Sequence, residues 1–104
     1  MSDEIQATSY TQSALVYYNT ATTNPGIFIE WERSGASGVE FYKIQKSEQF
    51  DGIYTTIETV PFPINEGWDS NGGPSSYYRI QEVGSSGTVL NTSSPFLGRI
   101  TYKI

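Results

Sequence analysis

A chain of 104 residues and 11.6 kDa has room for one domain and not for two with separate cores. Six basic against eleven acidic side chains give a formal net charge of -5 and an isoelectric point near 4.4, which argues against nucleic acid as a partner because phosphate backbones would be repelled. Without His or Cys the chain can form no imidazole-based serine triad, no Cys-His pair, no disulfide and no ordinary zinc site.

Met1 to about Thr11 is polar and aperiodic and reads as a loose arm, taken as residues 1–12. Its opening, Met1-Ser2-Asp3-Glu4, lacks the cationic and apolar regions of a conventional secretory signal, and no run approaches the roughly 18 apolar residues of a membrane span, so no membrane insertion is expected. Ser13 to Asn19 reads as a first strand with apolar residues on both faces, which makes Tyr17 a candidate contact residue. After the Asn24-Pro25-Gly26 breaker, Ile27, Ile29 and Trp31 recur at period two and should face inward, leaving Phe28, Glu30 and Glu32 outward.

The stretch from Gly38 to Ser47 is the strand around which the rest is arranged, with Tyr42 and Ile44 inward. Asp51-Gly52 turns the chain into the β-branched run Ile53 to Val60, which Pro61 and Pro63 stop, so Phe62 belongs to an edge or an irregular crossing. Asn65 to Ser76, holding Trp68 among glycines, reads as a long irregular loop that exposes Phe62 and Trp68 at one end of the domain. Tyr77 to Val83 is a strand with Tyr78 and Ile80 inward, and Gly84-Ser85-Ser86-Gly87 is a tight connection into Thr88 to Thr92. At the C-terminus, residues 97–104, Ile100, Tyr102 and Ile104 form one apolar stripe, the pattern of an additional strand laid on a hydrophobic surface.

Short strands separated by turn signals predict an all-β, two-sheet sandwich. The succession Ile29-Glu30-Trp31, Tyr42-Lys43-Ile44, Asp51-Gly52, Trp68-Asp69 and Tyr77 to Val83 resembles the fibronectin type III family, within the immunoglobulin-like folds, over residues 13–96. That resemblance implies that Trp31 is the central tryptophan of the second strand, and that Tyr42 with Ile44 and Tyr78 with Ile80 are inward pairs. The turn before Tyr77 lacks the family's usual leucine, and the integrin-binding Arg-Gly-Asp tripeptide is absent.

Chemistry is sparse. Glu30 and Glu32 share a face, with Glu40 a candidate neighbour across the sheets, yet alternation with inward apolar residues marks a solvated acidic face. Asp69-Ser70-Asn71-Gly72 with Glu66 could offer oxygens to calcium, but it lacks the twelve-residue loop spacing, so a turn held by Asp69 accounts for it better. Asn91-Thr92-Ser93 fits a glycosylation acceptor. No cofactor and no catalytic activity are expected.

These readings point to a non-catalytic structural module that mediates protein–protein contacts as an accessory component of a bacteriophage virion or other particle. Its partners are subunits of a larger assembly, copies of itself included. The alternative is an adhesion or carbohydrate-associated module on an extracellular surface, where exposed rings would stack on sugars. The candidate interaction residues are Tyr17, Phe28, Phe62, Trp68, Ile100, Tyr102 and Ile104.

Overall fold

Period-two burial decides the architecture. In the computed structural model, which describes residues 5–11, 26–71 and 75–98, Ile27, Ile29 and Trp31 are buried along one strand, Tyr42 and Ile44 along a second, and Tyr78 and Ile80 along a third. No single sheet can hide three such stripes, so two antiparallel sheets pack face to face and enclose them. The fold is all-β among the described residues, apart from a short 3₁₀ turn at Ser85–Gly87.

The smaller sheet has the order β1-β2-β5, with β1 Gln6–Thr11, β2 Ile27–Glu32 and β5 Glu66–Asp69. The larger has the order β4-β3-β6-β7, with β3 Phe41–Ser47, β4 Thr55–Pro61, β6 Tyr77–Val83 and β7 Val89–Thr92; β8, Phe96–Leu97, also pairs with β6. β7 and β8 line up along β6 at different heights, and between them Ser93 bonds Ile80 through both its backbone N–H and its hydroxyl.

Two expectations are corrected. The polar start is not a loose arm over Gln6–Thr11, which pairs residue for residue with β2 from Gln6↔Glu32 to Thr11↔Ile27. Ala7 and Ser9 fill the inward positions there, and the Ser9 hydroxyl donates to the Leu97 carbonyl at 3.1 Å. Nor is the glycine-rich stretch wholly irregular: Glu66–Asp69 is a strand against β2. Gly67 makes that strand possible, because a Cβ there would lie 2.2 Å from Ile44 Cδ1.

The expected first strand, residues 13–19 with Tyr17, and the tail stripe of Ile100, Tyr102 and Ile104 lie outside the described residues.

Candidate functional site

Three sets of polar or exposed side chains stand out. The first closes one end of the sandwich, where the Asp69 carboxylate, buried at the end of β5, accepts from Tyr78 Oη at 2.8 Å and from Lys46 Nζ at 3.0 Å through Oδ2. Its Oδ1 accepts from the Asn71 backbone N–H at 3.0 Å, the turn expected of this segment. Burial alone would raise the Asp69 pKa, but the hydrogen bonds from Lys46, Tyr78 and Asn71 outweigh it and hold the carboxyl below its ordinary range. Both oxygens are therefore committed to protein donors, and no group of three metal-ligating residues occurs among the described residues. The Tyr78 phenol is raised by burial, then by its hydrogen bond to Asp69 and by the charge of that carboxylate.

The second set was not visible as a unit in the sequence. Glu82 follows Tyr78 and Ile80 on the inward face of β6 and is only 1% exposed. Its carboxylate accepts from the Ser34 backbone N–H at 3.1 Å, the Ser34 hydroxyl at 2.6 Å and Asn91 Nδ2 at 2.9 Å. Among the described residues no cation pairs with it, so neutral donors alone compensate its burial. The Ser34 hydroxyl also accepts from the Ala36 N–H and Asn91 Nδ2, so the network ties the β2–β3 loop to β6 and β7. Asn91 is thus engaged in structure through the amide that glycosylation would modify. Above this network, Trp31 and Tyr42 meet edge to face at 5.3 Å. Burial, with Glu82 adding to it, pushes the Tyr42 phenol up to about 12.

The third set faces outward, with Phe28, Glu30 and Trp68 half-buried. Phe28 and Trp68 are neighbours across β2 and β5 on the outer face of the smaller sheet, with ring centroids 6.5 Å apart and planes tilted by 43°. Trp68 therefore belongs to a sheet face and not to the loop end assigned to it from sequence. Phe62 packs against Tyr42 at 6.1 Å and is 46% exposed, so it stands apart from the Phe28–Trp68 pair. Glu30 faces outward opposite Glu66, and Glu32 follows along β2; Glu40 sits on the other sheet, bonded to Val83. The acidic face therefore forms, but with Glu66 in place of Glu40.

The residues that sequence reasoning passed over lie along β4. Six of its seven residues are exposed, Thr55 to Thr59 without a break. The strand has β3 on one side and none of the described strands beyond it on the other. Around it Phe50, Ile53, Ile57, Phe62 and Ile64 are exposed, Ile53 by 87%. A signal was present in Ile53 to Val60, whose threonines suit a pleated surface without supplying a buried stripe. Comparison with protein-family models, with curated proteins and with solved structures returns no match.

Proposed function

We propose that this chain is a non-catalytic assembly module of fibronectin type III-like type that contacts protein subunits of a larger particle, of which a bacteriophage virion is the leading case. The three-plus-four strand order, β1-β2-β5 against β4-β3-β6-β7, supports the subtype. The observation that carries the function is the β4 edge. An edge strand offers N–H and C=O groups that another chain can pair, and exposed apolar side chains beside it add burial to such a contact. The two buried carboxylates, by contrast, are spent on structure: Asp69 holds a turn and Glu82 holds loops.

The adhesion or carbohydrate reading stands second. It is favoured by the Phe28–Trp68 pair alone, and a 43° tilt makes those rings a poor flat platform for one sugar chain.

The test is to isolate the native protein from its source with whatever it is bound to, beside an Ile57→Lys variant. The expected result is recovery of the natural chain in a large protein assembly and of the folded variant outside it. A variant that incorporates at the natural level, or a natural chain recovered only as a free molecule, contradicts the reading.

A further inference from the structure

Strand alternation sorts the charges of this chain onto opposite faces. The outer face of the smaller sheet carries Glu30, Glu32 and Glu66 beside the rings of Phe28 and Trp68. The outer face of the larger sheet carries Lys43 and Arg79, each between two buried neighbours that fix it outward. No described strand residue facing out from the larger sheet is a carboxylate; its other members include Gln45, Thr56, Gln81 and Thr92. Lys43 makes no ion pair with a described residue, and neither does Glu66.

The heights of these groups also correspond. Tyr78 reaches Asp69, Ile44 lies against Gly67, and Trp31 meets Tyr42, which aligns the two sheets level by level. On that scale Arg79 stands at the level of Phe28 and Trp68, and Lys43 at the level of Glu30 and Glu66. The guanidinium is already spread on a ring, with Cζ 4.4 Å from the Tyr54 centroid, and Arg79 Nε donates to Gln45 at 2.7 Å. Around Glu30 and Glu32 the acidic face is dished, with a depression of about 300 Å³ bordered by Gln6, Thr8 and Asn65.

We propose that the acidic face of one molecule docks on the basic face of a second copy, in a head-to-tail stack. Lys43 of one copy lies between Glu30 and its cross-strand partner Glu66 on the next, at the side of that depression, and Arg79 lies over the Phe28–Trp68 rings. The occupant is a second copy because the complementary charges, rings and spacing are all found on the same chain. The net charge of -5 opposes association at long range, but at about 0.15 M salt charges are screened beyond about 8 Å, and the contact pairs lie inside that distance. Each molecule keeps one face of each kind, so the contact does not close on itself and the stack grows. β4 borders this face through Thr56 and supplies none of its charges.

Sedimentation velocity of the full chain over a concentration series, at about 0.15 M salt, tests the proposal. The natural chain should sediment faster as concentration rises. Lys43→Glu and Glu66→Lys should each weaken association about tenfold or more when alone, and an equimolar mixture should recover it, because unlike charges then face each other again. Lys43→Ala and Glu66→Ala, milder changes to the sheet, should weaken it in the same direction. A natural chain that stays monomeric throughout, single variants that associate like it, or a mixture that recovers nothing overturns the proposal. None of these residues is on β4, so such a failure leaves the edge reading to its own test.

Discussion

β6 and β4 flank the same strand, each has seven residues, and they have opposite fates. β6 alternates half-buried residues with fully buried Tyr78, Ile80 and Glu82, whereas β4 is exposed from Thr55 to Thr59 and buries only Val60. Both runs favour extended backbone, so propensity does not separate them; position in the sheet does. A central strand is paired on both sides and covered by the second sheet. An edge strand keeps one row of polar backbone groups for another partner. The β6 region is where the molecule stores stability, and the β4 region is where it can spend surface on contact.

The largest effects should come from the covered side of that comparison. Trp31→Ala should cost about 3–5 kcal/mol and Ile80→Ala about 2–5 kcal/mol in denaturant unfolding, since each leaves a cavity beneath β3 and β6. Next comes Glu82→Ala, expected to cost about 1–3 kcal/mol by stripping the Ser34 N–H and the Asn91 amide of their acceptor. A cost below about 0.5 kcal/mol would mean that the network does not hold the loops.

The pH dependence sharpens the same contrast. Asp69 has a depressed pKa in the folded chain, so its contribution is present above the ordinary carboxylate pKa of about 4 and is lost as pH falls through the folded value. Tyr42 and Tyr78 have raised values, so theirs is complete below about pH 10 and is lost as pH rises beyond it. Thermal unfolding followed across pH should show both flanks. Asp69→Asn should flatten the acid flank and Tyr42→Phe part of the alkaline one. At neutral pH Tyr42→Phe should change stability by less than about 1 kcal/mol, because the buried hydroxyl has no partner among the described residues. The smallest effect belongs to the edge: Ile57→Lys should stay within about 0.5 kcal/mol of the natural chain.

What the sequence made legible follows the same division. Ile27, Ile29, Trp31, Tyr42, Ile44, Tyr78 and Ile80 are large apolar residues at period two, and all are buried as their spacing implied. β1 escaped because its inward positions are Ala7 and Ser9, too small to write a hydrophobic stripe; its pairing with β2 places them. β5 escaped because Gly67 resembles a breaker, when its lack of a side chain is what lets β5 approach Ile44. The phase of Glu82 could be read from Tyr78 and Ile80, but its donors could not: Ser34 and Asn91 are 57 positions apart and meet only in the folded chain. Of the candidate contact residues, Phe28 and Trp68 come together, although from a face and not from a loop. The edge position of β4 was hidden because an edge is a property of the sheet and not of the strand's own residues.

Hydrogen–deuterium exchange, resolved by segment in the isolated protein and in its native assembly, tests the central claim most directly. In the isolated protein the β6 amides should be strongly protected and the Thr55–Thr59 segment should exchange much faster. In the assembly β6 should be unchanged while exchange in that segment slows about tenfold or more, as its outward N–H groups gain partners. Equal exchange of Thr55–Thr59 in the two states would contradict the assignment of β4 as the contact edge.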